Sequence, residues 1–217
     1  MSLFSLRSRL EQRLAPLTSA DAVRSATRSD YDLNPGMERG GVSLRPAAVL
    51  VAVVAREEGA TVILTRRADT LASHTGQIAF PGGRLDPGET PAEAAVREAW
   101  EEVALDPALV QPLGLGDPYE TVTGFLVTPV VAWVTAPPSL VPRPEEVADI
   151  FETPWDFLMD AANHRRDFYD REGQARRWFW AVPWGERYIW GATAGIVRGL
   201  CDRLYRDDPR AAAEDAA

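Results

Sequence analysis

With one cysteine in 217 residues, the chain cannot form an internal disulfide, which fits a reducing compartment. That residue, Cys201, sits in an amphipathic stretch where a buried, packed thiol is the ordinary expectation. Histidine is scarce too, with only His74 and His164. Long apolar runs are missing. The longest, Ala47 to Ala55, falls far short of the roughly 20 residues that cross a bilayer, and it reads as a buried strand. Basic charge is in deficit: 23 Lys and Arg against 32 Asp and Glu give a net charge of −9, with no basic stripe. That balance excludes a nucleic-acid surface, though not an anionic small molecule, because metal ions and a few local arginines can outweigh the global field. The N-terminal MSLFSLRSRLEQRL has the basic amphipathic look of a transit peptide, but Glu11 and the lack of a cleavage-type region favour an ordinary first helix. No internal repeat is visible. The expected setting is cytoplasmic, with neither membrane nor nucleic acid as partner.

What is present is concentrated between Gly83 and Leu105. Thr90-Pro91-Ala92-Glu93 reads as a capping box with proline at the first helical position. Ala92, Ala95, Val96, Ala99 and Val103 then recur at helical spacing, so a helix is expected over about Thr90–Val103, stopping before Asp106-Pro107. Glu98, Glu101 and Glu102 fall on roughly the opposite side of that helix. Glu93, Arg97 and Glu101 stand at i, i+4, where one guanidinium neutralises two carboxylates. Like charges this close are mildly unfavourable alone, and a hard divalent cation reverses the sign of the interaction. A solvated acidic face is the ordinary alternative; the glycine loop before the helix and the fixed spacing to Arg97 tip the reading toward Mg²⁺ or Mn²⁺.

The same segment resembles the Nudix box, G-x5-E-x7-R-E-U-x-E-E-x-G-U with U aliphatic. Gly83, Glu89, Arg97, Glu98, Glu101 and Glu102 match, Ala99 and Leu105 occupy aliphatic positions, and Ala104 stands in place of the second glycine. The resemblance implies an α/β/α sandwich with a mixed sheet between helices. It also implies metal-dependent hydrolysis of a nucleoside diphosphate linked to another group. Carried over by position, Glu98, Glu101 and Glu102 are the metal set, with Arg97, Glu98 and Glu101 in the catalytic machinery and Glu89 and Arg97 orienting the ligands. Upstream, Leu64-Thr65, Arg67-Ala68, Gly76 and Phe80-Pro81-Gly82-Gly83 resemble the added signature of the coenzyme A diphosphatase branch; Ala72 stands where that pattern has a second arginine. Arg67 offers a planar fork for phosphate, and Gly82 and Gly83 let backbone N–H groups approach an anion. His74 and Gln77, in the Ser73–Gln77 turn, are the remaining substrate-binding candidates, while Arg66 is left open between surface and site. Glu145 or Glu146, in the Pro142–Phe151 stretch, can supply a further ligand or the general base; Glu146 is the candidate carried forward, against a solvated acidic loop.

Residues 1–40 read as a helix and linker, 41–206 as the hydrolase domain, and 207–217 as a disordered Ala-rich tail. Strands are expected at Ala47–Ala55 and Thr61–Thr65, joined by a hairpin at Glu57-Glu58-Gly59, then at Gln77–Phe80, Val110–Leu115 and Phe125–Val134. Trp178, Phe179, Trp180, Trp184, Tyr188 and Trp190 crowd one region; filling a core or dimer interface is the common use of such a tract, and stacking a base or packing a pantetheine arm the rarer one. His164, in Asn163-His164-Arg165-Arg166, reads as structural or solvated. Three functions remain in play: a coenzyme A diphosphatase, a Nudix hydrolase of ADP-ribose, dinucleotides or nucleoside triphosphates, and a non-hydrolytic binding module. The partner is a nucleotide-type small molecule, and a homodimer is left open.

Overall fold

A strand that is apolar on both sides has to be covered on both faces. In the computed structural model, which describes residues 1–19, 25–37, 43–68, 76–170 and 176–206, the Ala47–Ala55 run lies within the central strand β2 (Arg45–Arg56). Helix α1 (Leu3–Arg13) precedes it, capped by Ser2, whose Oγ accepts from Ser5 N–H at 3.1 Å. The two-residue strand β1 (Arg28–Ser29) comes next. After β2 come β3 (Gly59–Arg67), β4 (Ile78–Ala79), β5 (Gly82–Arg84) and α2 (Pro91–Val103). Strands β6 (Val110–Leu115), β7 (Tyr119–Glu120), β8 (Phe125–Val134) and β9 (Val147–Pro154) complete the large sheet among the described residues. A short helix α3 (Trp155–Leu158) leads to a three-stranded sheet of β10 (Arg165–Tyr169), β11 (Arg177–Trp184) and β12 (Arg187–Trp190), and α4 (Ala192–Tyr205) closes the described chain.

Alternation along β2 divides the core in two. Ala48, Leu50, Ala52 and Val54 face Ala94, Ala95, Ala99 and Val103 of α2. Ala47, Val51 and Val53 face the opposite layer, where Leu6 and Leu10 of α1 meet Val197, Leu200 and Leu204 of α4. The chain is thus an α/β/α sandwich around a mixed sheet: β2 runs parallel to β8 and antiparallel to β3. The helix expected within residues 1–40 is α1, and it is packed into this core; the expected linker end at Gly40-Gly41 and the tail 207–217 lie outside the described residues.

One irregularity positions the site. Strands β2 and β3 pair only through Val53–Arg56 and Gly59–Val62, and then part. The segment 78–84 is wedged into the split: β4 pairs with Thr65 and Arg66 of β3, and β5 pairs with Ala47–Val49 of β2. The wedge delivers Gly82 and Gly83 beneath α2, and edge strand β9 covers the other side of β3.

The aromatic tract divides between interior and surface. Val182 and Ile189 are fully buried in the core with Trp180 and Trp184 packed against them, whereas Phe168 and Trp178 are 39% and 37% exposed. His164 is buried at 2% exposure rather than solvated: its ring fills the junction before β10, with Nε2 2.7 Å from the Leu158 carbonyl and Nδ1 without a partner. Cys201 is buried on α4, its thiol donating to the Met159 carbonyl at 3.3 Å. No described helix is long and apolar enough to cross a membrane.

Candidate active site

Thr90 caps α2 through a reciprocal box: its Oγ1 accepts from Glu93 N–H at 3.3 Å, and the Glu93 carboxylate accepts from Thr90 N–H at 2.8 Å. With Glu93 committed to the cap, the expected Glu93–Arg97–Glu101 ladder forms only in its second half, at 3.5 Å. Arg97 turns instead to Glu89, which it grips with two bonds of 2.8 and 2.9 Å. It also donates to Glu98 at 3.0 Å and to the Arg84 carbonyl at 3.0 Å. One guanidinium therefore ties the wedge, the turn before α2 and two acidic residues of the helix into one unit. The Glu89 carboxyl is held below its ordinary range by Arg97 first and the Asp86 N–H second.

Glu98 lies against Gly83 so closely that a Cβ there would overlap its carboxylate, and a Cβ on Gly82 would overlap the Ala48 carbonyl. Backbone space requires Gly82, whereas at Gly83 a side chain would displace the Glu98 carboxylate. Glu102 is 5% exposed and accepts from the Gly82 N–H at 3.2 Å. Burial pushes its carboxyl up to about 7; the Gly82 bond opposes the rise, Glu98 adds to it, Arg67 opposes it and Glu146 adds to it. Glu98 is raised too, by burial first, with Arg97 opposing and Glu101 and Glu146 adding. These mutual effects bring Glu98, Glu101, Glu102, Glu146 and Arg67 around one locus.

Glu146 reaches that locus by a route the sequence did not advertise. The segment after β8 turns back over the end of α2, where Val141 N–H donates to the Val103 carbonyl at 3.0 Å and Arg143 N–H to the Glu102 carbonyl at 2.9 Å. The loop thus satisfies carbonyls that a helix C-terminus leaves unpaired. Ala68 N–H then donates to the Glu146 carbonyl at 2.9 Å, joining the loop to the end of β3, and the Glu146 side chain stands 3.5 Å from Arg143. The Pro142–Phe151 stretch is where Glu145 or Glu146 is expected to act, and the prolines between Ala136 and Pro144 keep that run from continuing a strand. Ala104 closes α2 in the left-handed region, with φ 55° and ψ 31°, the only non-glycine at positive φ among the described residues. The helix end has the form a glycine would give it, at a cost of about 1 kcal/mol.

Of the substrate-binding candidates, Arg67 faces the acidic locus, and its buried Nε has no hydrogen-bond partner. Gln77 contributes its carbonyl, which accepts from Arg67 N–H at 2.9 Å. Gly82 and Gly83 lie beneath the carboxylates as described; His74 and Ala72 lie outside the described residues.

Among the described residues no three acidic, histidine or cysteine side chains are already gathered to hold a metal ion. Arg97 keeps Glu98 and Glu101, and the Gly82 N–H keeps Glu102. The chemistry of the donors nonetheless fits a hard cation: carboxylate oxygens, two of them raised by burial and mutual repulsion, beside a glycine-lined backbone. Adding positive charge relieves the very interactions that raise Glu98 and Glu102.

Residues 44–172 match the NUDIX domain. The chain is 45% identical over 175 residues to an uncharacterized Nudix hydrolase, NudL, of Cronobacter sakazakii, covering 77% of this chain and 87% of that protein. It is 41% identical over 187 residues to the NudL of Escherichia coli K12, covering 82% and 94%. Among solved structures, the Nudix hydrolase RenU of M. smegmatis superposes with a TM-score of 0.46 at 27% identity, over 55% of this chain and 76% of that one. An Ap4A hydrolase of C. elegans gives 0.45 at 22% identity, over 53% and 82%.

Proposed function

The chain belongs to the Nudix hydrolase family, and from that premise we propose that residues 41–206 hydrolyse the pyrophosphate bond of coenzyme A or its thioesters. The products are 3′,5′-ADP and 4′-phosphopantetheine, or its acyl form. The observation that carries the reading is the acidic locus itself. Glu98 and Glu102 lie against the Gly82–Gly83 turn within electrostatic reach of Glu146, Arg67 acts on Glu102 in the same way, and Arg67 holds a buried donor with no partner. Coenzyme A is supported by the stretch from Leu64 to Gly83, whose resemblance to the diphosphatase branch lies in the strand end and wedge that border this locus.

Glu98, Glu101 and Glu102 would hold Mg²⁺ or Mn²⁺, which when bound supplies the charge that polarises the pyrophosphate. The remaining work belongs to the chain. Arg67 places a guanidinium fork on a phosphate oxygen, for which its unpaired Nε is suited. Gly82 and Gly83 keep the space beside Glu98 and Ala48 free of side chains, so that the turn can lie under the carboxylates. Arg97, anchored by Glu89, fixes the rotamers of Glu98 and Glu101. Glu146, on a loop tied to α2 and β3, accepts the proton of the attacking water.

The test is a substrate panel: purified protein with Mg²⁺ or Mn²⁺ and coenzyme A, ADP-ribose, NADH and nucleoside triphosphates, products resolved chromatographically. Release of 3′,5′-ADP from coenzyme A supports the reading. Cleavage of ADP-ribose without coenzyme A sinks it in favour of the broader hydrolase. Binding without any turnover would make the chain a sensing module.

A further inference from the structure

A cavity of about 850 Å³ opens on the other face of the sheet end that carries the acidic locus. Arg66 and Arg67 are consecutive in β3, so their side chains leave on opposite faces. Arg67 acts on Glu102, whereas Arg66 lines the cavity. Gly76 and Ile78 line it too, and they flank Gln77, whose carbonyl holds the Arg67 N–H. The same two pieces of backbone therefore form a wall shared by the locus and the cavity.

The opposite wall is the β11–β12 hairpin, which contributes Trp184, Tyr188 and Trp190. These rings are braced from behind. Trp190 packs on Phe179 at 5.0 Å between centroids, Trp184 on Phe157 at 6.4 Å, and the Tyr188 hydroxyl donates to Asp167 at 2.5 Å. The hairpin is fastened to edge strand β9 by Arg187, which bonds Asp149 at 2.8 Å and lies 3.7 Å over the Phe151 ring. Three braced aromatic rings and the stem of Arg66 make a preorganised slot rather than a collapsible gap. Its volume is in the usual range for small-molecule sites.

We propose that this cavity is the subsite for the nucleobase of the substrate, with the pyrophosphate lying across the shared wall on the Arg67 side. The inference rests on the coenzyme A reading. Of the two halves of that substrate, the base presents a planar π-face, which stacks on indole and phenol rings whatever its hydrogen-bonding edge. The pantetheine arm is a flexible chain; ordering it costs rotational freedom, and it has no aromatic face to set against the three rings. Glu186, exposed at the hairpin turn and part of the lining, adds an acceptor for an exocyclic amine.

The experiment separates the halves on metal-free protein in EDTA, so that no turnover is needed. Titration calorimetry of 3′,5′-ADP and of 4′-phosphopantetheine is run on the wild type, Trp190→Leu and Trp190→Phe. Loss of one stacking ring should weaken 3′,5′-ADP by roughly tenfold or more in the leucine variant. The phenylalanine variant should stay within about threefold, because it restores a ring, and 4′-phosphopantetheine should bind all three proteins alike. A second readout needs no variant. Saturating 3′,5′-ADP should quench the tryptophan emission of the wild type, and 4′-phosphopantetheine should leave it unchanged. Unaltered 3′,5′-ADP affinity in Trp190→Leu, equal weakening of both ligands, or no quench at saturation overturns the proposal. Cleavage of coenzyme A alongside any of those results removes the subsite and leaves the hydrolase standing. Binding of 3′,5′-ADP by the cavity in a protein that does not cleave coenzyme A removes the hydrolase reading alone.

Discussion

Glu102→Gln removes one negative charge while keeping the side-chain length and an oxygen that can still accept from the Gly82 N–H, now 3.2 Å away. In the metal-free protein burial holds this carboxyl at about 7 against an ordinary 4.5. Because the folded-state value is the higher one, the native state favours the neutral form. That contribution is complete below pH 4.5 and is lost as pH rises through about 7. At about 1.4 kcal/mol per pH unit, the ionised side chain lowers stability by about 3 kcal/mol above neutrality. Glutamine carries no such penalty. In EDTA at pH 8 the variant should melt higher than the wild type by about 6–12 °C, using the size-dependent conversion for a chain of this length. At pH 4.5 the two should melt together. Turnover should move the other way, falling at least about 100-fold, the scale of a lost catalytic carboxylate. Scanning calorimetry from pH 4.5 to 8, with and without Mn²⁺, reads the first effect and product release the second. A variant that melts below the wild type at pH 8, a gap that does not depend on pH, or near-normal turnover would each refute the placement of Glu102 in a cation site.

Gly83→Ala forces a methyl group into the Glu98 carboxylate, so turnover should drop by about tenfold or more while the metal-free melting temperature falls by only a few degrees, because the carboxylate can swing outward. Ala104→Gly relieves a left-handed alanine, and after the entropy of the added glycine in the unfolded chain it should stabilise by about 0.5 kcal/mol, measured as a urea midpoint at unchanged slope. His164 is held below its ordinary 6.5 by burial first, with the Leu158 carbonyl opposing and Arg198 adding. A depressed histidine contributes stability that is present above pH 6.5 and lost as pH falls below it. His164→Gln, which can still donate to Leu158, should flatten that acid-side loss between pH 7.5 and 5.5; an unchanged profile would show that His164 is not its source.

What could be read in advance was what the chain decides locally. The α2 cap needs only Thr90, Pro91 and Glu93 in order, and β6 and β8 begin and end where their apolar runs do. Choices between equivalent partners were illegible. Glu93 and Glu89 are both within reach of Arg97 on paper, and the decision for Glu89 is made by the Asp86–Glu89 turn, whose N–H fixes that carboxylate from behind. The split between β2 and β3 was hidden for the same reason, since a two-residue and a three-residue strand carry no pattern of their own. For His164 the sequence left structural and solvated roles open, because Arg165 and Arg166 beside it are exposed along an edge strand; the structure decides for the structural one, with the ring buried against the Leu158 carbonyl.

The charges explain why these long-range choices matter. Among the described residues, Glu89, Glu98, Glu101, Glu102 and Glu146 stand near Arg67, Arg97 and Arg143, and Arg97 is largely occupied by Glu89 while Arg143 sits 3.5 Å from Glu146. Burial raises the Glu98 and Glu102 carboxyls, and the neighbouring carboxylates add to that rise. Replacing either raised residue by an uncharged one should relieve the repulsion, yet close contacts hold them in place: the wedge through the split sheet, Gly82 packed against the Ala48 carbonyl, and the loop bonded to the end of α2. Packing that enforces mutual repulsion has no structural purpose, because an apolar or neutral set would hold the same backbone at lower cost. On the proposed reading, a hard cation between the carboxylates would make the arrangement favourable, so the stability of this locus and its chemistry would answer to the same charge.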